Sequence, residues 1–168
     1  GRDALNANTS GTRNTAVGAF TLDVNTTGND SQAFGYLALS ANTTGRNTAF
    51  GSQALKDVQT SDNNTAIGDH CLWKTTTGSH NTGVGFQVMV FNTTGSNNTG
   101  VGKDALDTNT TGSSNVAVGA DALQANTTAN NNVAIGYAAM QSNTTGASNV
   151  AVGTNALDAN TTANDNTC

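Results

Sequence analysis

Proline and glutamate are absent from the chain, and only 10% of its 168 residues are charged. All eleven acidic residues are aspartates, so a carboxylate acid–base pair would have to come from Asp alone. Six basic residues are scattered through a chain of net charge −5. This argues against a nucleic-acid partner, because phosphate binding needs clustered Lys and Arg. The low net charge and the ordered apolar positions described below also argue against a disordered chain.

Cysteine and long apolar runs are scarce as well. Cys71 and Cys168 are too few for a disulfide framework, and each replaces a small Ala of a repeat, so we expect two buried small residues. No stretch approaches the ~18 apolar residues of a membrane span. The sequence has no initiating Met and no signal peptide, and both ends fall within a repeat. We therefore expect residues 1–168 to be one repeat array, cut from a longer fibre.

A 17-residue segment, represented by residues 115–131, is instead repeated along almost the whole chain. Its reference residue is a glycine that recurs every 17 residues, with one step of 16 between Gly35 and Gly51. The missing residue falls between Gly45 and Asn47, in a polar turn, where a deletion is tolerated better than in a strand. A fixed period of this kind determines the architecture before any single residue does.

Several positions of the repeat keep their own residue type, and we call a set of equivalent positions a column. The residue before the reference Gly is large and apolar, and the one before that is small. Three and four residues after the Gly comes a pair that is mostly Ala followed by Leu or Met. Asn-Thr-Thr follows, and another Asn opens the next repeat.

The repeat predicts an all-β fold, a parallel β-solenoid or β-roll with one 17-residue coil per repeat and about ten coils. Gly, Asn and Thr recur too often for a helix, whereas short β-branched runs bounded by Gly and Asn are typical of strands. We expect one strand centred on residues 115–118, a second on 121–124, and a bend at Gly119. The Asn-Thr-Thr-Gly segment would form the next strand and corner. Coils would stack at ~4.8 Å.

Stacking places like residues above one another, for example Val118 over Val101, with Asn ladders along the rod. Ala117 and Val118 are neighbours and should face opposite sides of their strand, yet both columns are restricted in type. Ala122 and Leu123 show the same restriction. This favours burial on both faces, with one face inside the coil and the other against a partner chain. The alternative is that the Ala face is a smooth exposed surface.

The run Asn-x-Ala-Val/Ile-Gly-x-x-Ala, as in residues 64–68 and 132–136, resembles the head repeat of trimeric autotransporter adhesins. Those heads are left-handed parallel β-rolls with three chains around one axis. The complete unit, with its Asn-Thr-Thr-Gly segment, is similar to repeats in fibre proteins of phages, algal viruses and bacterial surfaces. The resemblance covers essentially the whole chain. It implies a surface-displayed fibre or adhesin, with no catalytic residues.

Two columns are candidate functional surfaces. One consists of Asn-x-Thr sequons, interpreted either as N-glycosylation sites or as a structural Asn ladder at the surface. Its members are Asn8, Asn25, Asn42, Asn92, Asn109, Asn126, Asn143 and Asn160. Further sequons begin at Asn29, Asn63 and Asn97. The other is a Thr rank that could face ice or remain a solvated polar face, namely Thr94, Thr111, Thr128 and Thr145.

Residues 52–78 break the pattern. The segment 58–61 replaces Asn-Thr-Thr-Gly, and Asp69, His70, Cys71, Trp73 and Lys74 lie close together in sequence. No ligand pair has metal-site spacing, and no Ser/His/Asp grouping stands out, so we predict no catalytic residue, cofactor or metal. Trp73 could stack on a sugar or cap an irregular corner.

These observations predict a non-catalytic structural fibre or adhesin segment, outside the cell or on a virion or cell surface. Its expected partners are copies of itself, as a trimer or filament, with glycans or a host surface as further candidates. An ice-binding solenoid that uses flat Thr and Asn ranks is the alternative. A third possibility is a fibre whose catalytic part lies outside this sequence.

Overall fold

The computed structural model describes residues 1–168 and has a single parallel β-sheet and no helix. Nine strands of three residues each stack in chain order, one per coil. The strands are β1 (Thr15–Val17), β2 (Gln32–Phe34), β3 (Thr48–Phe50), β4 (Thr65–Ile67), β5 (Thr82–Val84), β6 (Thr99–Val101), β7 (Val116–Val118), β8 (Val133–Ile135) and β9 (Val150–Val152). The predicted β-solenoid is therefore confirmed, with about eight turns rather than ten.

Strand register follows the repeat. Val118 pairs with Val101 on one side and Ile135 on the other, as the columns predict. Gln32 pairs with Thr48, an offset of 16, and the strands on either side return to an offset of 17. The deletion before Asn47 is therefore absorbed in the turn, which leaves every side chain of the sheet on its own face.

The second strand predicted at residues 121–124 is wrong, because this segment forms consecutive β-turns. The N–H groups of Ala122 and Gln124 donate to the carbonyls three residues earlier, at 3.4 and 3.3 Å. Asp121 and Leu123 are left-handed, with φ of 60° and 51°. An L residue rarely adopts this conformation, which costs roughly 1–2 kcal/mol. The residue types of this segment therefore gave no indication of the turns. The Asn-Thr-Thr-Gly segment likewise contains no strand.

Hydrogen bonds between coils continue through these turns. Only 16 of 111 backbone hydrogen bonds lie within the strands. The Asp121 N–H donates to Lys103 O of the preceding coil at 2.9 Å, and the Leu123 N–H donates to Ala139 O of the following coil at 3.0 Å. The two left-handed residues thus direct their N–H groups to opposite neighbouring coils. This satisfies backbone groups that a short strand alone would leave unpaired.

The reference glycines make the predicted bend. Gly119 has φ of 136°, and a Cβ there would lie 2.6 Å from the carbonyl carbon of Gly136 in the next coil. Both the positive φ and the close approach of two backbones require glycine.

The core consists of three columns, and it excludes the alternative of an exposed Ala face and corrects the predicted facing of Ala122 and Leu123. Ala117 is fully buried whereas Val118 points outward, so the Ala face lines the interior. Ala122 and Leu123 are both fully buried, because the left-handed turn brings neighbouring side chains to the same side. Most coils therefore fully enclose only one large apolar residue, and Val58 and Val88 add a second in two coils. The Leu and Met column consists of Leu22, Leu39, Leu55, Leu72, Met89, Leu106, Leu123 and Met140.

In the middle of the rod, larger side chains in one core column lie beside smaller residues in another. Gly83 and Gly100 stand in the Ala column, and a Cβ on them would lie 2.5 Å from Cys71 Sγ and 2.7 Å from Val88 Cγ1. Cys71 and Val88 themselves replace Ala in the column that also contains Ala122. Larger residues in one column are thus matched by glycine in the other, which keeps the interior close-packed.

Candidate functional surfaces

The sequon column lies inside the coil and does not form a surface ladder. Its six members from Asn25 to Asn143 are fully buried, while Asn8 and Asn160, in the end coils, are partly buried. Asn126 Nδ2 donates to Asn109 Oδ1 at 2.8 Å and to Ala129 O at 3.2 Å. A glycan on Nδ2 would replace one of the two donated hydrogens and would have to enter the core. The sequons at Asn29, Asn63 and Asn97 are exposed and remain predicted acceptor sites.

A second buried Asn column, which opens each repeat, runs beside the first. Asn115 Oδ1 accepts the backbone N–H of Asn132 at 3.0 Å. Asn115 Nδ2 donates to Ala129 O at 2.8 Å, the same carbonyl that Asn126 contacts. The two ladders are thus joined through shared carbonyls, and they satisfy polar groups where each coil has little apolar side-chain volume.

The sequon ladder is interrupted at two coils. Val58 and Thr75 occupy the column between Asn42 and Asn92, and both are fully buried. The Thr75 hydroxyl has no hydrogen-bond partner. We call residues 35–100, which contain these rungs and the two core glycines, the interrupted segment, and residues 101–160 the regular segment.

The two Thr columns differ in accessibility. Thr110 is half-buried, and its hydroxyl donates to Thr127 O of the next coil at 2.9 Å. The neighbouring column is exposed at Thr94, Thr111, Thr128 and Thr145. Of these two columns, only the second therefore presents its hydroxyls to solvent along the rod.

The large apolar column before each reference glycine forms an unbroken line on the outside, which we call the apolar stripe. Its nine members are Val17, Phe34, Phe50, Ile67, Val84, Val101, Val118, Ile135 and Val152. Five of them are between 40% and 59% exposed. Phe34 and Phe50 stack on one another with ring centroids 4.2 Å apart. The stripe crosses eight strand spacings, which is about 38 Å.

The irregular side chains of the interrupted segment pack on one another. His70 meets the Trp73 ring edge to face at a centroid distance of 4.9 Å, and Asp69 hydrogen-bonds to its Nδ1. Lys74 Nζ lies 4.3 Å from the Trp73 centroid, and Lys56 Nζ lies 5.6 Å from it. Trp73 therefore packs as part of a charged cluster over an irregular corner. The indole N–H is buried without a partner.

The remaining candidates for chemistry lie apart from one another. Cys71 is buried, and burial raises the pKa of its thiol to about 12, so it is an unreactive core residue. Cys168 is exposed, contrary to the expected burial. No three His, Cys or Asp side chains converge as metal ligands. The structure also contains no helix that could cross a membrane.

Comparison with protein-family models, with curated proteins and with solved structures gives no significant match to this chain.

Proposed function

We propose that the chain is a structural, non-catalytic segment of an extracellular fibre or adhesin, displayed on a cell or virion surface, and that it associates with copies of itself. The observation that carries this proposal is the apolar stripe. Soluble monomers rarely expose a continuous apolar surface of this length, and such surfaces mark contacts with a partner. All nine positions are apolar, although each is outside the coil.

A second copy of the chain is the occupant that best fits the stripe. A rod with a straight apolar line at a fixed spacing matches another such rod along its whole length, in the same register. The stripe carries no charged residue in any coil, as expected for the centre of a permanent interface. Charged residues are found instead at flanking positions such as Lys103 and Asp69.

Native mass spectrometry and sedimentation of the purified chain test self-association. We expect a homo-oligomer, and we expect the double substitution Ile67→Lys and Ile135→Lys to convert it to monomer, because two charges would be desolvated in the interface. Thr94→Lys with Thr145→Lys adds the same charges on the exposed Thr rank and should leave the oligomer intact. Circular dichroism checks that each variant is folded. A wild-type monomer at micromolar concentration would remove the partner-chain proposal.

Ice binding is the second candidate function, favoured by the exposed Thr rank. Hydroxyls and methyls recur at one strand spacing on a weakly charged face. The hydroxyls of the neighbouring Thr column donate to carbonyls of the next coil, so of these two columns only the exposed one is available to ice. Thermal hysteresis measured on wild type and on Thr111→Tyr decides between the two functions. Clear hysteresis that the Tyr abolishes would overturn the fibre proposal in favour of ice binding.

A further inference from the structure

The residues that immediately follow the reference glycines lie beside the apolar stripe, and we call them the flanking column. Each is two residues from a stripe member, on the other side of the glycine bend. Tyr36, Phe86 and Tyr137 are its largest members, and each is about half exposed. The full column is Ala19, Tyr36, Ser52, Asp69, Phe86, Lys103, Ala120, Tyr137 and Thr154. Exposed aromatic side chains beside an apolar surface indicate that a partner covers this column as well.

The flanking column contains two charged residues of opposite sign, Asp69 and Lys103. They stand one coil before and one coil after Phe86. Asp69 contacts His70 and Lys103 contacts Asp104, yet the two side chains remain 42% and 62% exposed. The opposite charges are therefore accessible, and they lie at equal distances on either side of the middle strand, β5.

The aromatic members of the column have the same symmetry. Tyr36 and Tyr137 each lie three coils from Phe86. A second copy that runs in the opposite direction, centred on the same coil, would place its Tyr137 against Tyr36 and its Lys103 against Asp69. Phe86 would meet its own counterpart at the centre. A copy that runs in the same direction keeps equivalent coils level, which leaves Asp69 and Lys103 two strand spacings, about 10 Å, apart along the rod.

The sizes of the stripe residues favour the same orientation. Phe34 and Phe50, which stack on one another, belong to β2 and β3. In a copy that runs in the same direction, each ring would face its own counterpart, and the rings would hold the two surfaces apart along the valines that follow. In the opposite direction the rings face Ile135 and Val118, so no two rings are opposed. Large residues that face smaller ones allow an interface to pack without voids.

We propose that the apolar stripe and the flanking column are covered by a second copy of this chain in antiparallel orientation, with a twofold axis perpendicular to the rod at β5. A twofold axis makes each contact occur twice, so Asp69 and Lys103 form two ion pairs between the chains. Phe86 packs on its counterpart at the axis. The inference rests on the proposed self-association and specifies its geometry, a closed dimer.

Pulsed EPR between spin labels at equivalent sites of the two copies tests the orientation. The labels are introduced by Thr27→Cys or Thr94→Cys, at exposed positions of one Thr column, in a Cys168→Ser background, and Cys71 is buried. Thr27 lies four coils before Thr94. In the antiparallel dimer the labels at residue 27 are about 35 Å apart along the rod, whereas those at residue 94 are nearly level. We expect the longer distance at residue 27.

Substitution of the two charged residues tests the pairing. Asp69→Lys or Lys103→Asp alone brings like charges together, and each should raise the dissociation constant of the dimer about tenfold. The double variant restores opposite charges and should return to within about threefold of wild type. Asp62→Lys, in the same repeat but outside the interface, changes the net charge equally and should have no effect. Circular dichroism checks that each variant is folded, because Lys103→Asp also removes the contact with Asp104.

The outcomes separate this inference from the proposed function. Equal label distances at residues 27 and 94 in an oligomer overturn the antiparallel orientation and leave self-association in place. A folded double variant that binds no better than the two single variants overturns the pairing of Asp69 with Lys103 in the same way. A wild-type monomer overturns both the dimer and the proposed self-association.

Discussion

The interrupted and regular segments have the same backbone architecture and differ in the side chains inside the coil. In the regular segment the Asn ladder is continuous, the core columns contain Ala, and no cavity opens on the outside. In the interrupted segment two rungs are missing and core volume is exchanged between columns. Strand register is nevertheless the same in both. The backbone hydrogen bonds and the second Asn ladder, which is unbroken in the interrupted segment, therefore maintain the stacking there, and the sequon ladder can be replaced locally.

Removal of a rung from the regular segment should have the largest effect. Asn126→Leu leaves Asn109 Oδ1 and Ala129 O with one donor fewer in a buried site. We expect a loss of about 3 kcal/mol in the free energy of unfolding, because each buried group left without its partner costs roughly 1–3 kcal/mol. Thr128→Leu, on the exposed rank of the same coil, should change stability by at most ~0.5 kcal/mol. Chemical denaturation measures both. If Asn126→Leu left the free energy of unfolding nearly unchanged, the sequon ladder would be dispensable in the regular segment as well.

The exchange of core volume predicts a reciprocal effect. Gly100→Ala should lower the free energy of unfolding by about 2 kcal/mol, since the new methyl overlaps Val88. Adding Val88→Ala to the same chain should recover much of that stability. The regular segment allows the transplant: Ala122→Val should destabilise alone and be rescued by Ala134→Gly, the equivalent pair. Denaturation of the four members of each double-mutant cycle gives the coupling energy. Additive losses would show that the two columns do not share space.

Substitution of Thr by Val should change the free energy of unfolding in opposite directions in the two segments. The Thr75 hydroxyl is buried without a partner, so Thr75→Val should stabilise the chain by about 1 kcal/mol. The Thr110 hydroxyl donates to Thr127 O, so Thr110→Val should destabilise it by a similar amount. Thermal unfolding of the two variants compares them directly. A loss at both sites would indicate that Thr75 finds a partner in solution.

The columns of the sequence predicted the stacking, the bend and the place of the deletion, because each follows from period alone. They failed at residues 121–124 because a left-handed residue such as Leu123 reverses the alternation of faces, and nothing in the residue type indicates that conformation. The burial of Asn126 was missed because Asn-Thr-Thr is polar, whereas a ladder satisfies the amide inside the coil. A surface depression of about 460 Å³ at Ser40 and Ala41 depends on the neighbours of a small residue one coil away on each side. A comparison of Asp23, Ser40 and Lys56, which share one column, could have predicted this depression.

The smallest effect concerns Asp107 of the regular segment. Burial, assisted by the charge of Asp104, raises the pKa of Asp107 from 3.8 to about 6. The folded chain binds this proton more tightly than the unfolded chain, so this contribution to stability is present below pH 3.8 and is lost as the pH rises through about 6. The shift corresponds to at most about 3 kcal/mol, and solvent screening of a half-buried carboxylate reduces this to about 1 kcal/mol.

Asp107→Asn should therefore be more stable than wild type at pH 7 and equal to it near pH 4. Chemical denaturation at a series of pH values measures the difference, with Asp158→Asn, at the exposed equivalent position, as the matched control. The interrupted segment has Trp73 and Lys56 in this column, so the same pH dependence should not arise there. If Asp107→Asn left the stability difference between pH 4 and pH 7 unchanged, the titration of Asp107 would not contribute to the pH dependence of the regular segment.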